Sequence, residues 1–126
     1  MKILLTVAAC LSLISCTGIA PSAPKGTVDH VVLMWQKRPG NAADRKKLLA
    51  ACDDLRVIPG IQILDAGSAL PSDLPVVDDS FDLGLLVRFD SVNSLRVYET
   101  HPLHVKKKVE VLIPLTKRIL VYDIIR

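Results

Sequence analysis

A chain of 126 residues holds one domain and not two. Half of its residues are hydrophobic and 23% are charged, the balance of a packed globular protein, which excludes a disordered one. The formal net charge of +3 is too small to support a nucleic-acid partner, and the basic runs Arg45-Lys46-Lys47 and Lys106-Lys107-Lys108 read as solvated helix faces.

The first element reads as an export signal. Met1-Lys2 is a short positive start, and Ile3 to Ser15 is an apolar stretch shorter than the roughly 20 residues that a membrane-spanning helix needs. It closes on Leu13-Ile14-Ser15-Cys16, which resembles the bacterial lipobox. That resemblance implies that residues 1–15 are cleaved off as a signal peptide. It also implies that the Cys16 thiol carries a diacylglyceryl lipid and that the new amino terminus takes a further fatty acyl chain such as palmitate. Two or more chains anchor a protein stably where one is marginal. Thr17, where an aspartate would signal inner-membrane retention, points to the outer membrane, facing the periplasm. Residues 16–27, with Gly18, Pro21, Ser22, Pro24 and Gly26, lack apolar periodicity and read as the lipidated Cys and a flexible tether. Cys10 leaves with the signal and Cys16 is lipidated, so Cys52 is the free thiol of the mature chain, placed on an apolar helix stripe as a small buried hydrophobe.

Residues 28–126 form the folded domain. Val28 to Lys37 is rich in β-branched residues and reads as a strand. Asn41 can cap a helix over Ala42 to Val57, with Asp44 at its third position and Leu48, Cys52 and Leu55 as one apolar stripe; Pro59-Gly60 ends it. Ile61 to Ala66 is a second strand, Gly67 to Ser80 a long loop with Pro71 and Pro75, and Phe81 to Phe89 a third strand. A helix begins at Ser91, with Val92, Leu95 and Tyr98 on one side, and breaks near Thr100-His101 ahead of Pro102. A further helical stretch places Val105, Val109 and Leu112 on its apolar side and stops near Pro114; Thr116 to Ile125 is the last strand.

This β-α-β-β-α-β order predicts an α+β domain whose four-stranded antiparallel sheet carries both helices on one face. Such a sheet should alternate apolar and polar residues, and these strands do not. In the first, Val28, His30, Val32 and Met34 oppose Val31, Leu33 and Trp35; in the last, Ile119, Val121 and Ile125 oppose Leu120, Tyr122 and Ile124. The face without helices is therefore apolar too, and the simplest cover for it is a second copy, giving a homodimer through the open sheet face.

The domain resembles the stress-responsive α/β-barrel (Dabb) family. The resemblance rests on His30 before Val31-Val32-Leu33-Met34, then Ile58-Pro59-Gly60-Ile61, Gly67, Phe81-Asp82, Phe89-Asp90-Ser91, Tyr98 with His101-Pro102-Leu103-His104, and Val121-Tyr122-Asp123. It implies a ferredoxin-like fold and a dimer whose two sheets close into an α/β barrel. Some members are linked only to stress tolerance; a few are enzymes, among them a plant cyclase that closes a linear polyketide by aldol condensation. The functional Tyr and His of that cyclase fall on Tyr98 and His104 here, and a His near its pocket falls on His30. A further pocket His falls near Leu83, a departure that argues against polyketide cyclisation.

Two function classes are open on this reading. One is a lipid-anchored, stress-related envelope module that binds a small apolar ligand or a protein. The other is a cofactor-free acid–base enzyme of cyclase, isomerase or lyase type, in which neutral His104 takes a proton and the Tyr98 hydroxyl steadies a developing oxyanion, with His30 in the same pocket. Each residue also has a structural reading: His104 and His101 as caps or packing at the helix break, Tyr98 as a core aromatic, His30 as a satisfied core side chain, and Trp35 as dimer or core packing. No phosphate loop, nucleophile arrangement or metal-ligand spacing is present, and neither a metal nor a cofactor is expected.

Overall fold

The structure, a computed structural model, describes residues 22–126. The expected signal peptide, Cys16 and the first part of the expected tether lie outside the described residues. Among the described residues, no helix is long and apolar enough to cross a membrane.

The strands are β1 (Val28–Gln36), β2 (Ile61–Ser68), β3 (Leu83–Phe89) and β4 (Thr116–Ile125), joined in one sheet of order β2-β3-β1-β4 with every neighbouring pair antiparallel. This is the ferredoxin-like α+β arrangement expected from the element order. Helix α1 (Ala42–Asp54) crosses from β1 to β2. The second crossover, from β3 to β4, is built from α2 (Val92–Thr100), α3 (Pro102–Lys107), a π-helical turn (Lys108–Leu112) and the short α4 (Ile113–Leu115).

Helix α1 starts where its sequence predicts. The Asn41 side chain accepts a hydrogen bond from the Asp44 N–H at 2.9 Å, and the Asp44 carboxylate accepts from the Arg38 guanidinium. The helix ends earlier than its apolar stripe suggests, tightening into a 3-10 turn over Leu55–Val57. Gly60 then adopts φ +88°, and a Cβ there would fall 2.5 Å from the Ser94 side chain. Only glycine fits both constraints without strain. Leu48, Cys52 and Leu55 are fully buried against Val32, Leu83, Leu85 and Val87 of the sheet. Each buried Leu contributes about 2 kcal/mol of transfer free energy.

The two faces of the sheet divide as the sequence indicates. Val28, His30, Val32 and Met34 of β1 lie under the helices, directly opposite Ile125, Asp123, Val121 and Ile119 of β4. The other face presents Val31, Leu33, Leu86, Leu120, Tyr122 and Ile124, with no helix over it. At one corner the loop between β2 and β3 folds back over this face. The Trp35 indole N–H donates to Ser80 Oγ at 3.2 Å, Phe81 packs edge-on against the indole, and the Arg118 guanidinium lies 4.4 Å from its ring centre. At the opposite end, buried Asp29 accepts two hydrogen bonds from Arg88 and one from Arg126. The Arg88 bonds, with help from Arg126 and against the effect of burial, hold its carboxyl at about 2.

Two expectations are corrected. The tether is not free up to the domain: the Thr27 N–H bonds to Pro24, Gly26 and Thr27 exchange backbone hydrogen bonds with Arg126, and Thr27 is buried. The stripe Val105–Val109–Leu112 also does not face the core. Val105 and Val109 are exposed and only Leu112 is buried, because α3 leaves the extended break at His101 with a neighbouring face turned to the sheet. His104, Lys108 and Leu112 face the sheet instead.

Candidate functional site

The site is built at the break in the second crossover. Pro102 has no N–H to continue α2 and disfavours helical backbone in the residue before it, so His101 is extended at φ −61°, ψ 132°. Pro102 then opens α3 at its first position, where a missing N–H costs nothing. His101 caps this new helix, its Nδ1 accepting the Leu103 N–H at 3.2 Å. That role keeps His101 out of the cavity below. The sharp turn carries His104 back over Tyr98, with ring centres 4.3 Å apart.

Tyr98 is 1% exposed and stands in a row of rings: His104 on one side, His30 at 5.8 Å and Phe89 at 5.0 Å on the other. His30 reaches the same place from β1. Together His30, Tyr98 and His104 line one cavity of about 130 Å³, closed by Val32, Leu85, Leu112, Ile119 and Val121, with Lys108 in its wall. Three wider hollows of about 310 to 370 Å³ lie on the surface, and none is lined by a His or Tyr.

Hydrogen bonds set the state of both imidazoles. His104 Nδ1–H donates to the Glu99 carbonyl at 3.1 Å, one of the carbonyls left unpaired by the end of α2. His30 Nδ1–H donates to the Asp123 carboxylate at 2.6 Å. In a neutral ring held this way, Nε2 is the nitrogen that carries a lone pair. Burial lowers the His104 pKa below its ordinary 6.5, outweighing the Glu99 bond, with Lys108 and His30 adding to the depression. His104 is therefore neutral at pH 7 and able to accept a proton. Burial, with a contribution from the nearby Cys52, pushes the Tyr98 hydroxyl above its ordinary range, so it remains a donor. Burial also pushes the Cys52 thiol up to about 11, which leaves it a protonated core side chain and not a nucleophile. Among the described residues no group of three or more His, Cys, Asp or Glu side chains converges as a metal site would require.

Sequence reasoning named Tyr98, His104 and His30, and the fold brings all three together. It missed Asp123 and Lys108. Asp123 had a faint signal: it is the acid inside the apolar run Val121-Tyr122-Asp123-Ile124, and strand register sets it opposite His30. Lys108 had none, since helical periodicity put it on the solvent side.

A four-stranded antiparallel sheet with a partly open imidazole and phenol pocket beneath its second crossover defines a ferredoxin-like α+β protein with a polar-tipped cavity. The chain belongs to the stress responsive A/B barrel domain family, Dabb, whose family model matches residues 28–126. No curated protein matches it by sequence. Solved structures show the same fold. A Dabb family protein from Mesorhizobium loti superposes with a TM-score of 0.67 at 21% identity, over 81% of this chain and 98% of that one. A dimeric ferredoxin-like protein of unknown function from Bacteroides fragilis gives 0.64 at 20% identity, over 81% and 98%. The hydroxynitrile lyase of Passiflora edulis gives 0.71 at 20% identity, over 82% and 95%.

Proposed function

We propose that this protein is a lipid-anchored, dimeric Dabb domain of the bacterial cell envelope that binds a small molecule in the His30–Tyr98–His104 cavity and moves a proton on it without a cofactor. The observation that carries the reading is the cavity itself: one buried phenol held as a donor and two imidazoles, each with Nδ1 engaged, of which the neutral His104 leaves Nε2 as a base. A proton next to a carbonyl or on a hydroxyl is within the reach of such a base. The phenol stabilises the negative charge that develops on oxygen. The hydroxynitrile lyase of similar fold is a precedent for an enzyme on this scaffold. The cavity volume also bounds the ligand. An engineered apolar cavity of about 150 Å³ holds benzene, so about 130 Å³ admits a body of roughly six heavy atoms and no folded polyketide.

The test is a screen of molecules of up to about ten heavy atoms by NMR, with turnover followed in the same samples, on wild type and His104→Ala. Turnover by wild type that the variant loses while still binding supports the enzyme. Binding without turnover in either leaves a ligand-binding module for stress conditions. No binding to wild type removes the pocket reading altogether.

Anchoring rests on Leu13-Ile14-Ser15-Cys16. Cys16→Ser should move the protein from the membrane to the soluble fraction; an unchanged membrane fraction would overturn the anchor. The homodimer rests on the uncovered apolar sheet face and on the dimeric ferredoxin-like proteins from Bacteroides fragilis and Thermobifida fusca that share the fold. Light scattering on residues 25–126 should give twice the monomer mass at micromolar concentration, and a monomer there rejects it.

A further inference from the structure

We propose that Lys108 is the ligand-selecting residue of the cavity and that the ligand is a small monocarboxylate, its apolar body inside and its carboxylate on the Lys108 ammonium. The inference rests on the pocket reading above and narrows it to a chemical class. Helical periodicity assigned the inward positions to Val105 and Val109, which would have closed an apolar core. Those valines face solvent instead, and Lys108, one helical turn after His104 and at the start of the π turn, stands in the cavity wall. Single π turns inside helices recur at functional sites, because they re-aim side chains at some cost in regularity.

The electrostatics of this lysine differ from those of its neighbours. Lys107 pairs with Asp54 at the end of α1. Lys108 pairs with no carboxylate among the described residues. Asp123, the acid on the cavity-facing side of β4, is engaged by His30. The rest of the wall is Val32, Leu85, Leu112, Ile119 and Val121 with the three rings. An anion entering beside this wall would find in Lys108 a cation with no carboxylate partner of its own. Lys108 is half-buried, so its stem lies along the wall while its ammonium keeps contact with solvent. The anionic end of a ligand therefore sits at the outer end of the cavity. A carboxylate there leaves the rest of the molecule, about six heavy atoms by volume, beside the Tyr98 and His104 rings.

The test uses two matched pairs, benzoate against benzamide and 3-methylbutanoate against 3-methylbutanamide, titrated calorimetrically into the full-length protein. Each carboxylate should bind wild type at least about tenfold more tightly than its amide. Lys108→Met keeps the stem and removes the charge; it should abolish that preference while leaving amide affinity within about twofold. Lys108→Arg should keep part of the preference, which a merely structural lysine would not require. Equal affinity of acid and amide for wild type, or a preference that survives in Lys108→Met, overturns the assignment and leaves the pocket standing. Failure of all four probes to bind wild type at millimolar concentration overturns the assignment and the pocket together.

Discussion

The two crossovers of this fold span the same sheet by opposite means. Helix α1 is one uninterrupted helix of 13 residues, capped at its start, and beyond Asp44, buried in its first turn against Arg38, what it turns inward is apolar packing: Leu48, Ala51 and Cys52. The second crossover is broken at Pro102 and underwound from Lys108, and what it turns inward is Tyr98, His104 and Lys108, along with Leu95 and Leu112. A regular helix presents one fixed stripe to the sheet, so it can fill a core but cannot gather side chains from several angles onto one point. Each irregularity in the second crossover gives up some helical hydrogen bonding and gains a new direction for a functional group. The contrast teaches that stability is concentrated in the regular half and chemistry in the irregular one.

The largest effect that would break this contrast is in the core. Leu48→Ala should cost about 3 kcal/mol in denaturant unfolding, whereas Val109→Ala, a residue equally apolar and equally periodic, should cost under about 0.5 kcal/mol because it is exposed. Similar losses for the two would mean that the second crossover packs as its periodicity alone suggests. Next comes the point where the halves touch. Gly60→Ala forces an L-residue into φ +88° and against Ser94, and a loss of about 2 kcal/mol is expected; a neutral substitution would show that the junction is slack. Asn41→Ala removes the α1 cap bond to Asp44 and should lower stability by about 1 kcal/mol, read as a shift in denaturation midpoint.

The smallest effects on stability fall at the site. Tyr98→Phe keeps the ring contacts with Phe89 and His104 and should change stability by about 1 kcal/mol or less, yet remove any proton-transfer activity; retained activity would take the hydroxyl out of the mechanism. His104 supplies the pH signature. Its pKa is depressed, so its neutral, competent form persists below pH 6.5 and is lost only as the pH falls further. The same sign applies to stability: the contribution is complete above the ordinary imidazole value and declines as acid protonates the buried ring. An NMR titration of the His104 ring with a midpoint at or above 6.5 contradicts the packing described.

Much of the domain was legible in its sequence. Asn41, Gly60, Ser91 and Pro102 mark element ends by local chemistry, and each sits where its residue type requires. The two apolar faces of β1 were readable because side chains in a strand alternate with a fixed period of two. The family motif carried Tyr98 and His104 to one another across a proline, a distance short enough for sequence to encode.

Sequence by itself determined the order of elements and the two-sided sheet, since these depend on local backbone preferences and on neighbours a few residues apart. The three cavity rings His30, Tyr98 and His104 were named by the family resemblance, and the fold brings them together. Tertiary structure decided the rest. The His30–Asp123 bond joins residues 93 positions apart, and only the pairing of β1 with β4 makes them neighbours. The inward placement of Lys108 follows from the direction in which α3 leaves the His101-Pro102 break, which sets His104, Lys108 and Leu112 toward the sheet. The apolar residues of the segment favour the neighbouring face of Val105 and Val109, and only the packing of the crossover on the sheet decides between the two.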